Sequence, residues 1–266
     1  MSNVIVIGGG AAGMMAAYAA ALCGHQVKLM EQNEKLGKKI FITGKGRCNI
    51  TNAGDMDNLF ANVMSNPKFL YSAFYTFNNE QMMSLLEEYG LKMKVERGSR
   101  VFPVSDHSSD VIATLRKALE DKNVEVFLHT KVDHLLVTEE QIKGVELSDG
   151  REVSADAVIV ATGGFSYQTT GATGDGYRFA EKTGHKLVQR TPALVPFEIK
   201  EAWVKELQGL SLRNVSVSIY NGKKKLYEDF GEMLFTHFGV SGPLILSASG
   251  MIKAKQFENE LELYID

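Results

Sequence analysis

Cysteine, proline and runs of like charge are scarce in this sequence, and each scarcity excludes a class of protein. Two cysteines, Cys23 and Cys48, occur among 266 residues. They cannot build a disulfide framework or a four-cysteine zinc site, so a reducing, cytoplasmic setting is expected. His25, His129 and His134 offer no metal-ligand spacing, and no metal is expected. Proline is low at 5 against 25 glycines, so the glycines read as local backbone devices and not as a disordered composition. Charge is balanced, with 29 Lys+Arg, 32 Asp+Glu and a net charge of −3. No basic run stands out. This argues against a nucleic-acid partner and against a polybasic membrane anchor. Lys, Arg, Asp and Glu are all missing from residues 1–27, and residues 11–23 are nearly all apolar. A signal peptide would need a positive n-region, which is lacking, and three glycines stand where a spanning helix would begin. No membrane partner is expected, and nothing in the sequence specifies an oligomeric state.

What is present begins at the N-terminus. Val4-Ile5-Val6-Ile7 reads as a buried strand, and Gly8-Gly9-Gly10-Ala11-Ala12-Gly13 follows at once. An Ala- and Met-rich helix, a stop at Gly24 and a second strand over residues 26–30 lead to Glu31. Gly8 allows the tight turn. Gly10 lets backbone approach a pyrophosphate, and Gly13 lets helix and strand pack closely. Ala11 and Ala12 open the helix, whose N-terminus favours phosphate. A carboxylate at Glu31 suits ribose hydroxyls and repels a 2′-phosphate, which favours FAD or NAD over NADP. A lone GxGxxG is a weak signal; here strand, turn, helix, strand and acid are in register.

Residues 35–54 form a long, polar, Gly-rich loop, and such loops are usually functional. Helices are expected over 58–64, 67–74, 79–89, 108–121 and 176–183, and strands over 92–96, 100–104 and 124–128. Residues 132–137, 142–147 and 151–153 read as a three-stranded meander, with turns at Glu139-Glu140 and Asp149-Gly150. Residues 157–160 return as a buried parallel strand ending in Ala161-Thr162-Gly163-Gly164. From about residue 190 the pattern turns β-rich. The expected division is residues 1–190 and 191–266.

A parallel sheet whose crossover is a meander resembles the FAD-binding Rossmann-like domain of glutathione-reductase-type flavoproteins, and this resemblance favours FAD over NAD. The stretches Gly8–Gly13, Gly37-Lys-Lys-Ile-Phe-Ile-Thr-Gly-Lys-Gly-Arg-Cys-Asn-Ile-Thr-Asn52, Arg100-Val-Phe-Pro103, Ala161–Gly164, Gly174-Asp-Gly176 and Gly231-Glu-Met-Leu-Phe-Thr-His-Phe-Gly-Val-Ser-Gly-Pro243 together resemble the BaiN-like flavoproteins, also labelled NAD(P)/FAD-dependent oxidoreductases or aminoacetone-oxidase-like proteins. The resemblance implies an α/β FAD-binding domain with an inserted β-rich domain. The family's returning Gly-rich segment has no counterpart after Pro243, so both domains are expected to be incomplete here.

The candidate cofactor contacts are Gly8, Gly10, Ala11, Ala12, Gly13, Glu31, Gln32, Lys38, Lys39, Gly46, Arg47, Cys48, Asn49, Val132, Ala161, Thr162, Gly163, Gly164, Gly174 and Asp175. Asp175 could equally cap its helix. His237, in the Phe-Thr-His stretch, is the candidate proton donor or substrate contact; Arg100 and Tyr167 are weaker candidates. The expected activity is an NAD(P)H-linked, FAD-dependent reduction of an unsaturated small or steroid-like molecule. An amine oxidase using oxygen and a silent flavin-binding or interaction module are the alternatives, and an RNA-modifying flavoenzyme is disfavoured by the charge. No second GxGxxG follows a strand, so NAD(P)H would bind only transiently.

Overall fold

The computed structural model describes residues 1–252 and 260–266. The chain divides into two units, Met1–Leu187 and Val188–Asp266.

The first unit is built on four parallel strands. β1 (Asn3–Ile7) leads through the glycine turn into α1 (Ala11–Leu22) and back to β2 (Gln26–Met30). Next come α2 (Ser108–Asp121) and β3 (Glu125–Phe127). The meander follows as β4 (Val132–Thr138), β5 (Gln141–Leu147) and β6 (Glu152–Ser154), and the chain returns to the sheet as β7 (Ala157–Val160). α3 (Asp175–Lys182) closes the unit. The sheet order is β7-β1-β2-β3, every pair parallel. This is the Rossmann arrangement with a β-meander crossover that the sequence predicts.

Successive residues of β1 face opposite sides, as pleating requires. Val4 and Val6 pack with Val27 and Leu29 against Met14 and Ala17 of α1 and Leu115 and Leu119 of α2. Ile5 and Ile7 pack with Met30 on the other side against Val132, Val145 and Leu147 of the meander and Phe179 of α3. The central strands β1 and β2 are therefore buried on both faces, helices on one and the meander and α3 on the other, while the edge strands β3 and β7 are only partly covered, β7 less than the buried strand its sequence suggests.

The stretch 35–54 is not the open loop its composition suggests. It holds a short helix over Lys38–Ile42, a 3₁₀ turn over Thr43–Gly46 and a two-residue strand over Thr51–Asn52. That strand joins a small antiparallel sheet with Arg100–Pro103 and Met93–Glu96. Further helices run over Met56–Ala61, Tyr71–Thr76 and Asn79–Glu88, the last with a capping box between Asn78 and Gln81.

The second unit is a five-stranded antiparallel sheet. Its long pair is β8 (Ser211–Asn221) and β9 (Lys224–Phe235). Gly239–Ser241 and Phe197–Glu198 extend it beyond β9, and Glu262–Ile265 pairs with β8. α4 (Pro243–Met251) lays Leu244, Ile245 and Ala248 on the sheet against Val217, Ile219, Met233 and Phe235. Among the described residues no helix is long and apolar enough to cross a membrane.

Candidate functional site

The carboxyl ends of β1, β2 and β7 open onto a cavity of about 630 Å³ in the first unit, within the range of small-molecule sites. Its floor is the glycine turn. Gly8 has φ of +105° and donates to Met30 O at 2.8 Å, while a side chain there would meet Ala161 O. A Cβ on Gly13 would overlap the Gly8 carbonyl, so helix and strand touch with nothing between them. Gly10 is the opposite case. A Cβ there meets no atom within 4 Å, and its open side belongs to the cavity lining with Ala11 and Ala12. Gly10 is the N-cap of α1, but no side chain caps the helix and no acid occupies its first turn. The free N–H groups and the positive end of a 12-residue helix thus face open space.

Glu31 lines the cavity and is 7% exposed, but its oxygens are engaged within the protein. Oε2 accepts from the Gly9 N–H at 2.6 Å, and Oε1 accepts from the Asn33 N–H at 2.8 Å and Asn33 Nδ2 at 2.6 Å. The carboxylate braces the glycine turn, a role the spacing alone did not suggest. Gln32 Nε2 donates to Gly171 O at 2.8 Å, and Asn33 Nδ2 also reaches Thr170 O at 3.2 Å. Lys38 Nζ donates to Asn33 Oδ1 and Glu34, and Lys39 Nζ to Ser166 O at 2.7 Å. Both lysines line the cavity.

Val132, 4% exposed at the head of β4, lines the cavity beside Thr130 and Lys131. Ala161, Thr162 and Gly163 line it from the end of β7; Gly164 does not. The Thr162 hydroxyl is buried with no hydrogen-bond partner among the described residues. Gly174 lies outside the lining and is the N-cap of α3, with φ of +87° beneath the Phe165 ring. Asp175 does line the cavity, accepting from Thr173 Oγ1 and Arg178 Nη2, each at 3.0 Å. It is the first helical residue and not the cap.

The Gly-Arg-Cys-Asn stretch divides. Cys48 and Asn49 line the cavity; Gly46 and Arg47 do not. Arg47 binds Asp106 and Glu96 instead. Burial pushes the Cys48 thiol up, partly offset by a hydrogen bond with Thr43, so it is a poor nucleophile at neutral pH. His237 is exposed in the second unit, edge-on to Phe238 with ring centroids 4.7 Å apart. Sequence reasoning missed the apolar wall of Ile40, Ile50, Met82, Val111 and Leu115, and the Thr170–Ala172 segment. Met82, Val111 and Leu115 come from expected helices, while Ile40 and Ile50 are apolar residues within the stretch 35–54 that read as a polar loop. Ala172 adjoins a Gly-rich loop that was the available signal.

The uncapped helix and the open face of Gly10 fit a dinucleotide diphosphate such as that of FAD.

Residues 2–259 match the family model described as the HI0933-like protein Rossmann domain. The chain is 33% identical to the 3-dehydro-bile acid Δ4,6-reductase of Clostridium scindens, over all of this chain and 64% of that protein. It is 30% identical to the ribosomal RNA dihydrouridine synthase of Haemophilus influenzae, over 93% of this chain and 61% of that protein. The chain thus spans under two thirds of these relatives. The crystal structure of a 3-ketosteroid-Δ4-(5α)-dehydrogenase from Rhodococcus jostii RHA1, in complex with 4-androstene-3,17-dione, superposes with a TM-score of 0.50 at 16% identity, covering 62% of this chain and 46% of that one, and shares the fold. The match of family model, sheet order and glycine cradle, in a chain bearing the Gly-Arg-Cys-Asn and Phe-Thr-His stretches, places this protein in the HI0933-like Rossmann family.

Proposed function

We propose that this chain holds FAD and forms part of a flavin-dependent reductase acting on a carbon–carbon double bond conjugated to a carbonyl in a steroid-like molecule. NADH or NADPH would serve as a transient electron donor. The observation that carries the cofactor assignment is the uncapped N-terminus of α1 opening, past Gly10, into the cavity. Bound FAD would supply hydride transfer. The protein's part is to hold and orient. The first-turn N–H groups of α1 take the diphosphate, and the Glu31 carboxylate keeps the Gly8-Gly9 turn in the shape that presents them. Val132 and its neighbours form the wall at the β2–β4 side, and Ala161–Gly163 the wall at β7. His237 is the proposed proton source or substrate contact.

The substrate class rests on the two relatives, whose names both describe saturation of a double bond next to a carbonyl, in a 3-oxo bile acid and in uridine. A uridine in RNA is therefore the second reading, favoured by the Haemophilus relative despite the net charge of −3. The test is FAD titration of the purified chain, then anaerobic reduction by NADH or NADPH and reoxidation by a Δ4,6-3-oxo bile acid or a uridine-containing RNA. Reoxidation by the steroid supports the first reading and by RNA the second. Peroxide formed with an amine, without bleaching by either nicotinamide, would overturn both in favour of an oxidase. Failure to bind FAD would leave the silent module.

A further inference from the structure

We infer that Arg47 is a positioning residue that locks the Cys48-Asn49-Ile50 wall of the cavity in place, and not a contact to the cofactor; the purpose of that wall rests on the reading above. Arg47 Nε and Nη2 both donate to Asp106 Oδ1, at 2.8 and 2.6 Å, and Nη2 also donates to Glu96 Oε1 at 2.5 Å. Its guanidinium carbon lies 4.2 Å from the centre of the Phe102 ring. Lys94 Nζ donates to the other Asp106 oxygen at 2.6 Å. Among the described residues the partners of the Arg47 guanidinium thus lie in the segment 93–106, and Arg47 is not among the residues lining the cavity.

The three residues after it all line the cavity. The backbone there is unusual. Lys45 and Cys48 have φ of +57° and +60°, and Asp106 has φ of +57°. Such angles are uncommon for residues with side chains, and surrounding contacts help to hold them. The forked guanidinium supplies those contacts on both sides, joining the turn before Cys48 to the turn bearing Asp106. Ile50 N–H continues the attachment, donating to Val101 O at 2.8 Å. A lysine can reach both carboxylates, as Lys94 does at 2.6 Å from Asp106 and 3.6 Å from Glu96, but it cannot give the planar set of N–H donors or lie flat over Phe102.

The test uses Cys48 as its own reporter. With Cys23→Ser as parent, Cys48 is the single thiol, and an aromatic disulfide reagent reports how often its turn opens. Without FAD at neutral pH, Arg47→Met and Asp106→Asn are each expected to label about tenfold faster than the parent, with Arg47→Lys between. The urea midpoint of global unfolding is expected to stay near that of the parent. FAD affinity is expected to fall in the same order. Labelling at the parent rate in both variants would overturn the inference, as would an acceleration matched by an equal loss of global stability. Weaker FAD binding in Arg47→Met with parental binding in Asp106→Asn would make Arg47 a direct ligand. If Arg47→Met does not fold, Asp106→Asn and Arg47→Lys decide. Should the parent itself bind no FAD, the functional reading fails while labelling still decides the role of Arg47.

Discussion

Replacing Glu31 by Gln separates a brace from a ligand. The carboxylate is 7% exposed and accepts three hydrogen bonds, one from Gly9 N–H at 2.6 Å and two from Asn33 at 2.8 and 2.6 Å. Gln keeps one oxygen. If that oxygen stays with Asn33, its NH₂ faces the Gly9 N–H, donor against donor, in a buried place. Hydrogen bonds to charged groups contribute about 1.5–3 kcal/mol each, and an unsatisfied buried donor costs about 1–3 kcal/mol. A loss of about 2–3 kcal/mol is therefore expected in the chain without FAD, a fall of roughly 5–10 °C in the melting point of a unit this size. The assay is thermal unfolding without cofactor, so that ligand stabilisation does not enter, followed by FAD titration. FAD affinity is expected to fall as well, because the turn loses its shape. Wild-type unfolding together with weakened FAD binding would refute the brace and make Glu31 a ribose ligand.

Four further outcomes are expected. Gly10→Ala adds a methyl group to open space and is expected to unfold like the wild type while its FAD Kd rises about tenfold or more, whereas Gly13→Ala overlaps the Gly8 carbonyl and is expected to cost about 1–3 kcal/mol of stability; paired unfolding and titration curves check both. Phe179→Ala removes a side chain 1% exposed between sheet and meander and is expected to lower the unfolding free energy by about 3–5 kcal/mol in urea denaturation. Asp106 is held below the usual carboxylate range by Lys94 and Arg47, and Glu96 chiefly by Arg47. Their stabilisation is present above that range and disappears as pH falls through the lowered values, so Asp106→Asn is expected to open the Cys48 turn more often than wild type at neutral pH and to converge with it only well below the ordinary carboxylate range, as measured by native-state hydrogen exchange of the amides of residues 47–50. His237→Gln is expected to slow substrate reduction while leaving FAD affinity unchanged, in steady-state rates beside titration.

The parts of the fold that sequence reasoning recovers are those whose causes are local. The Val4–Ile7 run, the glycines and the Asp149-Gly150 turn each carry their own signal within a few residues, and strands, turn and meander follow. Helix α4 carries no such signal. Its sequence, PLILSASGM, is apolar on nearly every side because sheet and neighbours bury it, so no amphipathic stripe marks it. The site divides in the same way. Gly8, Gly10 and Gly13 are legible from spacing alone. The roles of Glu31 and Arg47 are not, because their partners lie elsewhere in the chain, Gly9 at a separation of 22 residues and Asp106 at 59.

The position of β1 between β2 and β7 has a consequence for how the protein is made. The turn at Gly8 is pinned on one side by Met30 and on the other by Ala161, a residue synthesised some 150 positions later. Such a contact raises contact order and slows folding, since the long loop must close before it is rewarded. On the ribosome, residues 1–150 can pair β1 with β2 and β2 with β3, but the far side of the glycine turn stays open until β7 has left the exit tunnel. A nascent chain stalled before β7 is therefore expected to be protease-sensitive at the glycine turn and unable to retain FAD, although every glycine of the motif has already been made.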